Sequence, residues 1–228
     1  MKRETAFPDV TINFLKSLSR NNNKDWFNKN RERFDFEFLQ PAVQFVNEMG
    51  KKLLSLSPSI NAIPKIDKSI FRLHRDVRFS KNKAPYKTNL GLYFWEGRGK
   101  KMECSGYYFH IEPKLFFLGG GMYVFTNDQL KKYREIVAHP DKGKELNDII
   151  RGLLKKKTLR LGGKTYKKVP RGYDPDYQYK DLLLHSGIYV FYESDNFEEL
   201  RKMNPANFAF NFYKKASPLH NWLVENLV

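Results

Sequence analysis

The chain reads as an α+β protein: a single domain over residues 1–228, with an antiparallel or mixed β-sheet packed against N-terminal and C-terminal helices. Three observations predict this. Apolar residues recur at helical spacing through the first sixty residues, the period then falls to two over several short segments, and helical spacing returns with one late strand among the helices. No internal repeat, low-complexity tract or long Pro/Gly/Ser linker divides the sequence.

Ile12, Leu15 and Leu18 mark a first helix, broken by the polar run Arg20, Asn21, Asn22, Asn23. Trp26, Phe27, Phe34 and Phe38 mark a second. Pro41 suits the first turn of a third, whose stripe is Ala42, Phe45, Val46, Met49 and Leu53. From Lys68 the alternation places Phe71, Leu73, Val77 and Phe79 on one face of a strand and Arg72, His74, Asp76 and Arg78 on the other. Residues 90–95, 105–112 and 115–124 are further strands, the last two joined by a turn at Glu112, Pro113 and Lys114. Short connections between adjacent strands require antiparallel pairing. Thr126 is a reasonable N-cap for a helix presenting Leu130, Tyr133 and Val137. His139 and Pro140 separate it from a second, with Leu146, Ile149, Ile150, Leu153 and Leu154. Residues 155–171 form a basic hairpin or ordered loop around Gly162 and Gly163, 187–193 a strand, and 197–203 a helix. Ser217 and Pro218 start a terminal helix with Leu219, Trp222, Leu223 and Leu227 inward.

The 228 residues are 41% hydrophobic and 15% aromatic, a folding composition, with a net charge of +16 that attracts anions or, on the plainest reading, keeps a solvated surface soluble. The single Cys104 excludes an intramolecular disulfide and a cysteine-rich zinc site, and a buried thiol is its expected role. No secretory leader is visible at the N-terminus and no apolar run is long enough to span a bilayer, so a cytoplasmic protein with no membrane partner is expected.

Between Lys65 and Lys87 there are eight Lys or Arg against Asp67 and Asp76. On a strand Arg75 points to the apolar face, where an isolated charge is costly, so it must meet a carboxylate or an anionic ligand. Guanidinium groups bind phosphate and carboxylate through paired hydrogen bonds, and lysine adds a point charge. The candidate ligand-binding residues are therefore Arg72, Arg75, Arg78, Lys83, Tyr86 and Lys87, and an anionic small molecule is the expected partner. Asp76, Glu112 and His110 are candidates for acid–base work. The pairs His74 with Asp76 and His110 with Glu112, each two apart on a strand, would converge if their strands were neighbours. No metal-ligand spacing and no cofactor motif accompanies them, and no metal or cofactor is expected.

Gly119, Gly120 and Gly121 match no nucleotide-binding loop; they read as a bulge or a close approach to the strand. From Arg151 to Lys180, ten basic residues interleave with Tyr166, Tyr173, Tyr177 and Tyr179, a pattern that suits single-stranded nucleic acid but is also that of a solvated loop. Nucleic acid is thus the alternative partner. A third reading makes the protein a non-catalytic interaction module in which the arginines are architectural.

The run Arg72, Leu73, His74, Arg75, Asp76, Val77, Arg78, Phe79, followed by Asn82, Lys83 and Tyr86, resembles the signature Arg-x-x-Arg-Asp-x-Arg-Phe…Asn-Lys…Tyr of the family known as domain of unknown function 2461. Asn21 to Phe27 is similar to that family's Asn-rich entry to a Trp-Phe helix. Gly119 to Tyr123 with Leu130 and Arg134 is like its glycine-rich strand and following helix, and Pro170 to Asp174 is like its later Pro-x-Gly-aromatic segment. After Asp174 the chain departs from the pattern: a His-Pro and a Leu-Leu-Arg-x-Lys are replaced by Tyr177, Gln178 and by Leu183, Leu184, His185, Ser186. The resemblance implies that residues 72–86 act as one unit and names no reaction.

Overall fold

Residues 7–155 and 157–228 are described by a computed structural model. The elements are α1 (Asp9–Arg20), α2 (Lys24–Lys29), α3 (Arg31–Phe34), a π-helical turn (Asp35–Leu39), α4 (Gln40–Leu53), β1 (Ile60–Asn61), β2 (Leu90–Glu96), β3 (Gly106–Ile111), β4 (Phe116–Met122), α5 (Asn127–Ala138), α6 (Pro140–Leu154), β5 (Arg160–Lys164), β6 (His185–Ser194), α7 (Glu198–Lys202) and α8 (Pro205–Leu227). The sheet order is β1-β2-β3-β4-β6-β5. Its connections are antiparallel: β3 and β4 form a hairpin closed by Glu112 N–H to Leu115 O, and β5 pairs antiparallel with β6. The fold is α+β, as the pattern predicts. Within the stretch expected as a hairpin or ordered loop, Gly162 and Gly163 lie in the edge strand β5, which pairs antiparallel with β6.

Two compact units divide the chain. The first comprises residues 7–94, Tyr108–Phe117 and Glu193–Asn211. Its core is aromatic: Phe14 packs within about 6 Å of the rings of Trp26, Phe34 and Phe38, and Phe45 of α4 sits 4.4 Å from Phe109 of β3. Phe116 of β4 meets Phe197 and Phe208 in the same unit. Along β3, Phe109 and Ile111 are buried while Tyr108 and His110 are half-buried, so alternation gives this strand one packed and one open face.

The helical run after α2 differs from the expected pair of helices. Pro41 lies in the first turn of α4, as predicted, but α4 runs on from the π turn without a break. A proline in that place removes the N–H that would reach the carbonyl four residues back, which is Glu37. The backbone answers by widening: Gln40 N–H reaches Asp35 O, a step of five. The Glu37 carbonyl is taken instead by the hydroxyl of fully buried Thr11, at 2.7 Å.

The second unit comprises Trp95–Tyr107, Leu118–Tyr192 and Phe212–Val228. Tyr107 lies 4.9 Å from Tyr213, and Tyr133 of α5 meets Phe125 and Trp222. Thr126 caps α5 reciprocally with Gln129 through bonds of 3.1 and 3.2 Å, as the sequence predicts. The terminal helix does not begin at Ser217: Pro218 sits inside α8. Again a hydroxyl compensates, because Ser217 Oγ donates to Lys214 O, the carbonyl that Pro218 cannot reach, at 2.9 Å. Gly120 and Gly121 are close-approach glycines. A Cβ on Gly120 would stand 2.7 Å from that of Ala216, and Gly121, at φ +130°, is pressed against the backbone of Ile188 and Tyr189.

Candidate functional site: the arginine loop and the open face of β3

The predicted strand from Lys68 to Phe79 is realised only in part. Its first half lies along β2, with Phe71 N–H to Gly91 O at 3.0 Å and Tyr93 N–H to Ser69 O at 2.8 Å. Beyond this the chain doubles back on itself: Lys87 N–H meets Leu73 O at 2.7 Å, and Arg75 N–H meets Pro85 O at 2.8 Å. Residues 76–84 form the tip, and Phe79, expected on the apolar face, is 94% exposed there. The alternation misleads because residues beyond Arg75 are loop, so the period of two no longer assigns faces.

The tip is held by its own cations. Arg75 donates from Nη1 to Ala84 O (3.1 Å) and from Nη2 to Ser80 Oγ (3.3 Å). Lys83 Nζ donates to Val77 O (3.1 Å) and Arg78 O (3.5 Å), and Asn82 Oδ1 accepts from Ala84 N–H at 2.9 Å. Arg78 grips Asp76 through Nε and Nη2 (2.7–3.2 Å), which holds the Asp76 carboxyl below the usual carboxylate range. Only that last pair cancels charge; Arg75 and Lys83 spend their bonds on neutral oxygens. Tyr86 is buried, stacked 4.3 Å from Phe27, and its backbone is bound on both sides by the side chain of Asn22.

Arg72 and Lys87 are the remaining cations of the motif. Arg72 is exposed and makes no hydrogen bond or ion pair among the described residues. Lys87 is half-buried with Nζ 5.8 Å from the centre of the Phe71 ring. Burial pushes its pKa down, Arg72 pushes it further, and Asp67 opposes them.

From Lys87 a row of side chains crosses the open face of the sheet. Phe71 meets Tyr108 edge-on at 6.1 Å, Tyr108 Oη lies 2.9 Å from His110 Nδ1, and His110 Nε2 faces Glu112 Oε2 at 3.7 Å. Gly91 makes room for this row, since a Cβ there would stand 2.8 Å from Tyr108 Oη and 3.2 Å from Phe71. Burial lowers the His110 pKa against the opposing pull of Glu112. A neutral imidazole with a phenol on one nitrogen and a carboxylate facing the other can pass a proton in either direction.

The expected four-group convergence does not form. His74 packs against Tyr86 at 4.9 Å and Phe27 at 6.2 Å, and Asp76 is held by Arg78; only His110 and Glu112 stay together. Among the described residues no three His, Cys, Asp or Glu side chains cluster closely enough to hold a metal ion. Tyr108, Gly91 and Asn22 escape the sequence reading. Tyr108 had a usable signal, one strand period before His110.

In the second unit Cys104 is buried, and burial raises its thiol pKa. Tyr177 is packed, donating to Val137 O at 2.9 Å and standing against Tyr179, whereas Tyr166 remains 41% exposed. A polar array appears that no spacing announces: Ser105 Oγ lies 2.9 Å from His220 Nδ1, and His220 Nε2 lies 2.9 Å from Glu96 Oε2. Ser105 and His220 are fully buried and Glu96 is partly exposed, so the array ties α8 to the end of β2 and the start of β3.

The described residues thus form an α+β fold in which an arginine loop held by its own bonds lies beside an open face of β3. The chain belongs to the family described as "Conserved hypothetical protein (DUF2461)", whose model matches residues 10–222. No curated protein and no solved structure matches it. Among the described residues no helix is long and apolar enough to cross a membrane.

Proposed function

We propose that the protein binds an anionic small molecule, bearing phosphate or carboxylate, on the open face of β3. The observation that carries this is the unbroken row from Lys87 through Phe71 and Tyr108 to His110 and Glu112. Lys87 and Arg72 hold the anion, the rings of Phe71 and Tyr108 support the body of the ligand, and His110 with Glu112 stands where a proton would be moved. Arg75, Arg78 and Lys83 contribute by shaping the loop and by the positive field that Arg75 and Lys83 leave uncancelled. A thermal-melt screen against sugar phosphates, nucleotides and phosphorylated acids tests it. A ligand at a hundredfold excess over Kd adds about 2.7 kcal/mol, or roughly 5–10 °C for a chain of this size. The rise should vanish in Arg72→Ala and Lys87→Met. A panel with no stabiliser, or a stabiliser indifferent to both substitutions, removes the proposal.

A second reading, single-stranded nucleic acid, is favoured by Phe79, which is 94% exposed with the Arg78 guanidinium 5.8 Å from its ring. It predicts binding to oligouridine or oligothymidine that falls steeply with salt and loses about 1–3 kcal/mol in Phe79→Ala. No binding at low salt eliminates it.

A further inference from the structure

The second basic stretch is left unused by the site above, and beneath it lies an arginine of a different kind. Arg134 stands on α5, and its Nε and Nη2 are both buried without a hydrogen-bond partner among the described residues. Its guanidinium lies 4.5 Å from the centre of the Tyr166 ring. A ring contacted through its face offers no hydrogen-bond acceptor comparable to an oxygen, so it satisfies neither nitrogen. Nε and Nη2 are the two donors of one edge, spaced to meet two oxygens of a carboxylate or phosphate side-on. Buried N–H donors of a cation are costly without an acceptor, so this edge is built for one.

The stem of Arg134 is well placed. The first turn of α5 is locked by the Thr126–Gln129 capping box, and the neighbouring Tyr133 is fully buried with its hydroxyl donating to Leu182 O at 3.1 Å. Tyr166 is held differently at its two ends. Its backbone N–H donates to Leu184 O at 3.0 Å, while its ring is 41% exposed and touches Arg134 through the stacking contact. A χ1 swing therefore uncovers the arginine edge without disturbing the backbone. The acid beside this segment, Asp181, is already engaged by Lys164 at 3.2 Å, and exposed Lys167 and Lys168 follow Tyr166 in the chain.

We infer that Arg134 and Tyr166 form a second anion site, in which the Nε–Nη2 edge takes two oxygens of a carboxylate or phosphate group and the Tyr166 ring is its cover. The site lies in the second unit and does not rest on the reading of the β3 face. Its test is the arginine Nε–H region of the proton–nitrogen NMR spectrum of the full chain, titrated with sodium phosphate and separately with sodium acetate at constant ionic strength. One Nε–H resonance, missing from Arg134→Lys, should move downfield and saturate with at least one salt. Response to phosphate alone assigns a phosphoryl ligand, and response to acetate alone a carboxylate. Tyr166→Ala, a change at an exposed ring that keeps the fold, should tighten binding at least threefold, and Lys87→Met should leave it unchanged. If neither salt moves the Nε–H resonance that Arg134→Lys removes, in wild type or in Tyr166→Ala, the inference is overturned.

Discussion

Replacing Thr11 with valine removes one hydroxyl and changes little else. The side chain is fully buried, the two residues are nearly isosteric, and their helix propensities are close. What disappears is the donor to Glu37 O, the carbonyl that Pro41 leaves without its usual helical partner. Leaving a part-buried carbonyl without this donor costs about 1–3 kcal/mol, so Thr11→Val should destabilise by about 2 kcal/mol. For a chain of this length that lowers Tm by roughly 4–8 °C. Urea unfolding should show a lower midpoint at unchanged slope. Pro41→Ala serves as a control, because it restores an N–H that can reach Glu37 O. In that background Thr11→Val should cost about 1 kcal/mol less, a coupling well above the error of a double-mutant cycle. If the two changes are merely additive, or Thr11→Val costs under about 0.5 kcal/mol, the hydroxyl is not serving the carbonyl as described.

Acid should weaken the fold through His110, His185 and His220, whose pKa values are all lowered by burial from 6.5. The unfolded chain takes up these protons first, so stability is full above about pH 6.5 and is lost as pH falls toward the lowered values; a Tm that is flat between pH 7.5 and 5 would contradict this. Lys87→Met should raise the urea midpoint at neutral pH by removing a half-buried charge while abolishing anion binding, so stability and binding move in opposite directions. Arg75→Ala should speed tryptic cutting at Arg78, Lys81 or Lys83 about tenfold, equivalent to about 1.4 kcal/mol of local loop stability, with little change in global Tm; unfolding of the whole chain would show the arginine to be a core element. Gly120→Ala should cost about 1–3 kcal/mol by collision with Ala216 and be rescued by Ala216→Gly, read by thermal melting.

Local grammar carried the α+β class: the change of period after the third helical stripe, the Thr126 cap, and the turn at Glu112 to Lys114 all describe real elements. The two prolines were legible in part. Pro41 does lie in a first turn and only Pro218 falls inside a helix, yet each sits where a hydroxyl from Thr11 or Ser217 satisfies the stranded carbonyl, and Thr11 is remote from Pro41 in sequence. At the candidate site, the density of cations in residues 72–87 was legible, but their partners were not. Arg75 called for a carboxylate or a ligand and found a carbonyl and a hydroxyl instead, which no charge pattern encodes. The row on β3 was half visible, through His110 and Glu112. Its continuation to Lys87 depends on how the chain folds back along β2. The array of Ser105, His220 and Glu96 joins the middle of the sequence to its end and leaves no local trace.

Apart from the grip of Asn22 and Phe27 on Tyr86, the bonds that shape the loop lie within residues 73–87: Arg75 to Ser80 and Ala84, Lys83 to Val77 and Arg78, Arg78 to Asp76, and the backbone bridges from Arg75 to Pro85 and from Lys87 to Leu73. Such a segment carries its own instructions. Transplanted onto another antiparallel strand pair, it should bring its conformation along, with Phe79 still displayed at the tip. Mutation can therefore vary the display residues Phe79 and Lys81 while the clamp stays intact. The exposed residues of the loop can thus change independently of the bonds that shape it.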